Sequence, residues 1–356
     1  MRPMTYFSAP GSEQRDTVRE ERHRRSPRPS STDVAVLAGV SRATVSAYIT
    51  KKRYVSKELS DRIESAIRQL NYVPDPYARA LKKQDLKTIG LIIPVLSRFF
   101  TPMMQAINEA AHRSQYGFLL SSSEEDAERE REVLQILVAK RISGILLVPC
   151  STRNRDLLRS IHQNGTPIVQ VNRRLDGLET DVVLSDNRKA AFRATEHLIQ
   201  RGRRRIAFFG HDPASLALTD KKAGYDEALE RYGVEDSIVI ILKQNDPADI
   251  HRSFEQFLES GRTFDSVICT SQTKTSIALT LLKEHSIRIP DQVSVVGFDD
   301  SPWAPLLCCP LTAVSESTYN MGEIAVQLLL DRLDRREAGS PKTIMLEDEF
   351  IIRNST

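Results

Sequence analysis

The residues of this chain whose types and spacing can do chemistry fall first within 31–49, STDVAVLAGVSRATVSAYI. A small residue at Ala35, a residue tolerant of positive φ at Gly39 and an aliphatic at Val45 meet the steric demands of a helix-turn-helix, in which two helices cross closely through a tight turn. Val34, Ala35 and Leu37 give one short helix its apolar positions, and Val45 and Ile49 lie on one face of a second. Ser41 stands at the N-cap, where its hydroxyl can accept from a first-turn amide. The chemistry implied is non-covalent recognition of a DNA duplex. The plainer alternative is a helical hairpin inside some other fold.

Charge supports the first reading. Residues 1–84 hold 17 Lys and Arg against 9 Asp and Glu, whereas the other 272 residues hold 33 against 38. The overall charge of +3 therefore hides a basic head on an acidic body, as expected when one module meets phosphate and the other does not. A basic tail explains only part of this, because segment 31–84 carries 10 basic and 5 acidic side chains by itself.

Covalent catalysis finds no constellation. There is no G-x-S-x-G, no Gly-rich phosphate loop followed by Lys, no H-E-x-x-H and no C-x-x-C, and the seven histidines are scattered. Cys150, Cys269, Cys308 and Cys309 are too few and too oddly placed for a disulfide framework or a zinc site, and Cys150 and Cys269 end apolar runs as buried thiols would. No cofactor or metal is expected. Nor is a membrane partner, since no run of 18 apolar residues occurs and the N-terminus lacks the apolar core of a signal peptide. The expected location is the cytoplasm.

The elements that position these residues read as follows. Residues 1–30, rich in Arg, Ser and Pro, form a disordered basic tail. A third helix, with Leu59, Ile63, Ile67 and Leu70 as its core stripe and Ser56 as N-cap, completes a helical domain over 31–73. It must end before NYVPDP, because each proline pushes its predecessor out of the α region. Segment 74–85 is a candidate hinge. From Thr88 onward nine strand-like runs (IGLIIPVL, YGFLLSSS, SGILLVP, PIVQVN, DVVLSD, RRIAFFG, SIVIIL, DSVICT, VSVVGFDD) alternate with helix-like stretches at 101–115, 127–140, 188–201, 219–232, 250–260, 273–285 and 318–335. Near-continuous apolar strands between amphipathic helices imply parallel sheets covered on both faces. The length suits two doubly wound subdomains, with a ligand cleft between the carboxyl ends of their strands.

Together these residues resemble the lac-repressor (LacI) family of bacterial transcription regulators, from about Ser31 to Thr356. DVAVLAGVSRATVS is similar to the family's helix-turn-helix, and RYVSKELSDRIESAIRQLNYVPDPYARAL to its third helix and hinge. IGLIIPVLSRFFTPMMQAINEAA, ISGILLVP, VSVVGFDDSPWAPLLCCPLTAV and IIRNST resemble its periplasmic-binding-protein-like core. The implied layout of core 86–356 is subdomain 1 over 86–187 and 315–343, and subdomain 2 over 188–314 and 344–356.

The resemblance implies a homodimer that sets one recognition helix per subunit in the major groove of a near-palindromic operator. Base reading falls by family position to Arg42, Ala43 and Ala47. Thr44, Ser46 and Tyr48 take phosphate contacts or packing, and Ser41, the N-cap, is counted with the DNA-binding residues. Arg42 can present a fork to guanine O6 and N7. Ala47 departs from the arginine that many members carry. In the hinge, Leu81 is implied as a minor-groove wedge and Ala78 as the close-approach position of twin helices; the alternative for Leu81 is an ordinary hinge leucine.

In the core the resemblance implies a small effector, often a sugar, touched by Phe99, Phe100, Asn172, Arg173, Lys221, Gln272 and Asp299. For one of the two phenylalanines, plain burial after a strand is the alternative. Asn172 stands where the family has Asp, Lys221 replaces an arginine three residues before Gly224, and Gln272 replaces an aspartate. Lys for Arg exchanges a planar fork for a point charge. The expected function is a repressor controlled by a sugar or sugar derivative. The alternatives are a regulator with a vestigial or non-sugar effector site and, further off, a solute-binding protein.

Overall fold

The computed structural model describes residues 29–51, 53–72, 87–211, 216–242, 246–334 and 339–356. The expected tail, apart from its last two residues, and the hinge with Ala78 and Leu81 lie outside the described residues. The chain divides into two compact units, 1–84 and 85–356.

The first unit holds α1 (Ser31–Ala38), α2 (Arg42–Thr50) and α3 (Lys57–Gln69). Helix α1 starts in a capping box: the Asp33 amide donates to Ser30 Oγ at 3.4 Å, and the Ser30 amide donates to Asp33 Oδ2 at 2.7 Å. It ends at Gly39 in the left-handed conformation, φ 62°, as the turn requires. Val34, Ala35, Ala38, Val45, Ile63 and Ala66 form the buried core. Leu37 does not join it. It is 45% exposed and Ala38 takes the inward position, because 34, 35 and 38 share a helical face that 37 leaves. Ser56 precedes α3 as expected, but its side chain makes no capping hydrogen bond.

The second unit is built on two six-stranded sheets. All nine sequence-predicted runs are strands: β1 (Thr88–Ile93), β2 (Gly117–Ser122), β3 (Gly144–Leu147), β4 (Ile168–Val171), β5 (Asp181–Ser185), β6 (Ile206–His211), β7 (Ser237–Leu242), β8 (Ser266–Cys269) and β9 (Ser294–Phe298). To these the structure adds β10 (Thr312–Ser315), β11 (Thr343–Leu346) and β12 (Glu349–Ile351). One sheet has the order β11-β5-β4-β3-β1-β2 and is parallel throughout. The other runs β12-β10-β9-β8-β6-β7 and is parallel except where β12 opposes β10.

The covering helices are α4 (Thr101–Arg113), α5 (Ala127–Ala139), α6 (Arg155–Gln163), α7 (Asn187–Gln200), α8 (Leu216–Arg231), α9 (Pro247–Glu259), α10 (Gln272–Glu284) and α11 (Thr318–Leu333). They explain why the strands read as unbroken apolar runs. Ile89, Leu91 and Ile93 of β1 pack with Met103, Ile107, Val326 and Leu329 on one face, while Ile92 packs with Leu134, Leu137 and Leu158 on the other.

The chain crosses between sheets three times, after β5, after β10 and between β11 and β12. The last crossing corrects the expected boundary at 343/344, since β11 through Leu346 pairs with β5 in the first sheet. As an edge strand with alternating exposure, TIML carries too little apolar signal to place by pattern.

Candidate DNA interface and candidate effector site

Helix α2 starts at its own cap and follows a turn that α3 braces. The Thr44 amide donates to Ser41 Oγ at 3.1 Å, and the Ser41 and Thr44 hydroxyls lie 2.8 Å apart. Arg62 of α3 donates from Nη2 to the Gly39 carbonyl at 3.2 Å, tying the turn to the third helix. With Val45 turned into the core, Arg42, Ala43 and Ser46 are exposed, and Thr44 and Ala47 are half-buried. Positions 42, 43, 46 and 47 thus share one face of α2, with Arg42 as its first residue beside the amides of the helix N-terminus. The amides at such an end attract anions, and an arginine beside them adds a second group suited to phosphate.

In the second unit the expected effector residues separate into three groups. Phe99 and Phe100 meet edge to face, ring centres 4.9 Å apart, in the turn before α4. Phe100 is buried in the core of the first sheet and Phe99 is half-buried, so only Phe99 keeps surface for a ligand. Asn172 ends β4 in the left-handed conformation, φ 62°, and its amide donates to the Val183 carbonyl at 2.8 Å. Arg173 spends its guanidinium on Glu125, donating to both carboxylate oxygens at 2.8 and 2.9 Å.

Lys221, Gln272 and Asp299 come together. The Gln272 amide donates to Asp299 Oδ2 at 3.3 Å, and its side-chain amide donates to Ser301 Oγ. Lys221 on α8 is buried, with Nζ 4.2 Å from the centre of the Phe298 ring. It donates to Glu316 Oε1 at 3.0 Å and to the Thr270 carbonyl at 3.5 Å. Burial pushes the Asp299 carboxyl up to about 6, with the Glu316 charge adding to the rise and Lys221 opposing it. Burial also draws the Lys221 ammonium down, yet the charges of Glu316 and Asp299 outweigh it and raise the group above its ordinary value.

Three further charged residues belong to this cluster, and sequence reasoning missed them. Glu316 lies in the second crossover and Asp348 in the third, where burial and then the Glu316 charge push its carboxyl up to about 7. Lys274 of α10 is fully buried, donates to Ser271 Oγ at 3.2 Å and is pulled down to about 8 by burial and then by Lys221. Nothing in SES or EDE distinguishes a buried carboxylate from a solvated loop. The signal lay only in their position at strand ends.

The class these features define is a DNA-binding regulator with a two-subdomain α/β core. Residues 32–75 match the family of bacterial regulatory proteins, lacI family, and residues 195–356 match the periplasmic binding protein-like domain. The chain is 33% identical over 331 residues to the HTH-type transcriptional regulator RegA of Clostridium saccharobutylicum, covering 92% of this chain and 99% of that protein. It is 29% identical over 328 residues to the HTH-type transcriptional repressor PurR of Mannheimia succiniciproducens, covering 91% and 97%. Among solved structures, the lac repressor dimer bound to operator and the anti-inducer ONPF has the same fold, with a TM-score of 0.81 at 22% identity over 92% of this chain and 99% of that one. The transcriptional regulator CelR–cellobiose complex matches with a TM-score of 0.68 at 26% identity, over 92% and 100%.

The chain therefore belongs to the lacI family of bacterial regulatory proteins. It is a DNA-binding transcriptional regulator, and its relatives are regulators rather than enzymes. Among the described residues no helix is long and apolar enough to cross a membrane.

Proposed function

We propose that this protein is a homodimeric repressor whose operator affinity is set by a small effector, a sugar or sugar derivative, held at the Lys221–Gln272–Asp299 cluster. The single observation that carries the DNA-binding part is the face of α2, where Arg42, Ala43 and Ser46 are exposed and Ala47 is half-buried while Val45 anchors the helix. Dimerisation has its own support in edge strand β2, whose Leu119 and Leu120 remain 38% and 41% exposed. The relatives support the effector part: one solved member is a cellobiose complex and another holds an anti-inducer.

Control follows from the crossovers. Lys221 and Asp299 belong to the second sheet's subdomain, whereas Glu316 and Asp348 sit on the strands of chain between subdomains. An effector that rearranges this cluster changes the angle between the subdomains, and that change passes through segment 74–85 to the operator-bound unit. Selection of the full-length protein on randomised DNA tests the reading. A near-palindromic site is expected, with affinity falling steeply as salt rises. Recovery of no preferred sequence overturns it.

A further inference from the structure

Glu316 and Asp348 each have one satisfied and one unsatisfied oxygen. Glu316 Oε1 accepts from Lys221 Nζ at 3.0 Å, and Asp348 Oδ1 accepts from Ser185 Oγ at 2.8 Å. Glu316 Oε2 and Asp348 Oδ2 are buried without a hydrogen-bond partner. Both side chains are more than nine-tenths buried, and they lie near enough that the Glu316 charge bears on Asp348. Buried carboxylate oxygens without donors are uncommon and ask for an explanation.

The surroundings narrow what can supply the missing donors. Three carboxylates, of Asp299, Glu316 and Asp348, face two ammonium groups, of Lys221 and Lys274. An anionic ligand finds Lys221 already matched by Glu316 and meets an excess of negative charge. A metal ion is disfavoured too, since among the described residues no group of three His, Cys, Asp or Glu side chains is placed to hold one. A neutral hydroxyl has a single hydrogen to donate, which serves one of the two orphan oxygens and leaves the other unpaired. A primary ammonium supplies three donors and one compact positive charge, which suits two neighbouring carboxylates that each keep an unsatisfied oxygen.

We propose that the effector bears a protonated primary amine, bound between Glu316 Oε2 and Asp348 Oδ2. This rests on the reading of the Lys221–Asp299 cluster as the effector site, and an amino sugar is the class that meets both. Because these oxygens belong to the second and third crossovers, an amine that bridges them holds both segments at once, which couples its binding to the angle between subdomains. The groups bearing on Asp348 are Glu316, the Ser185 hydroxyl, the Lys221 ammonium and the Ser317 amide. With its carboxyl held up to about 7, Asp348 is partly protonated near neutrality, and an arriving ammonium ion favours its ionised form. The proton it loses passes to the buffer, so uptake of the amine releases up to one proton.

The test is thermal unfolding and calorimetry of the full-length protein. The probes are glucosamine, galactosamine and mannosamine, set against their N-acetyl derivatives, glucose, galactose and glucose 6-phosphate. The expected result is that at least one amine raises Tm by about 3 °C or more at saturation. Its acetylated form does not, and calorimetry at pH 7 in two buffers of different ionisation enthalpy shows proton release. Glu316→Gln and Asp348→Asn weaken that amine at least tenfold; should either variant fold poorly, the comparison of amine with its acetyl derivative on the unaltered protein decides alone. A shift that survives acetylation, or one produced only by neutral sugars or the sugar phosphate, overturns the amine while leaving an effector site in place. No shift from any compound overturns the amine and the effector-site reading together, with operator binding as the control that the protein is native.

Discussion

Lys221 Nζ lies 3.0 Å from Glu316 Oε1, with the two side chains 8% and 3% exposed, so that a cation of α8 is tied to the segment carrying the chain between its two sheets. A buried pair of this kind is costly to break from one side, because the survivor is left charged and unsolvated. Lys221→Met or Glu316→Leu alone should lose about 3–5 kcal/mol of stability, and the double variant should recover most of it. Urea unfolding of all four proteins gives the coupling energy. Single losses below about 1 kcal/mol would show that the pair is solvated.

The same cluster predicts how stability varies with pH. The Asp299 and Asp348 carboxyls are raised to about 6 and about 7 from an ordinary value of 3.8, so the folded state binds protons more tightly than the unfolded chain. Their contribution to stability is therefore greatest at low pH and declines as pH rises from about 4 to about 7. Lys274, lowered to about 8 from 10.5, acts in the other direction only above pH 8. Asp181, held down by Arg332 and the Lys342 amide against the effect of its burial, loses its contribution only in stronger acid. The clean measurement is the difference between the parent protein and Asp348→Asn. Relative to the variant, the parent should lose stability between pH 4 and 7, and parallel curves would refute the assignment.

On the DNA side, Arg42→Ala should cost about 1–3 kcal/mol of operator affinity and relax the preference at one base position. Ala47→Arg, at a half-buried position on the same face of α2, should change the preferred base at a neighbouring position. Selected sequence patterns that stay identical for parent and both variants would mean that α2 docks in another register.

Much of this was legible in the chain, and the illegible parts share a cause. Gly39, Ser41 and Val45 announced the paired helices because a left-handed turn, a cap and a core anchor each admit few residue types. Most of the nine strand runs announced themselves because both faces are covered, while edge strand β2 did so on its apolar residues alone. What sequence did not place were β10, β11, β12 and helix α6, and length alone is not the reason, since β3, β4 and β8 are also four residues long. In the cleft, the expected residues split apart: Phe100 went to the core and Arg173 to Glu125, while Glu316 and Asp348 came in from crossovers that look like polar loops. Burial of a short polar segment is a property of the assembled sheets, and no local pattern encodes it.

Gly224 offers the sharpest test of how the second subdomain is assembled. A Cβ there would lie 2.0 Å from the Arg188 carbonyl oxygen and 2.9 Å from the Phe192 nitrogen, both backbone atoms of α7, so α7 and α8 can approach only because the side chain is absent. Gly224→Ala should gain about 1 kcal/mol in helix propensity, yet it forces two helices apart against a packed core that includes Tyr225, Leu229, Ala191 and Ala194. Overpacking of this kind costs about 1–3 kcal/mol, and more when backbone rather than a side-chain tip must move. The net expectation is a fall in Tm of several degrees. Arg188→Ala, which removes the exposed ion pair with Glu227 across the same two helices, should cost less than about 1 kcal/mol. If the two variants proved equally mild, the helices would be joined by their surface charges and not by the close contact at Gly224.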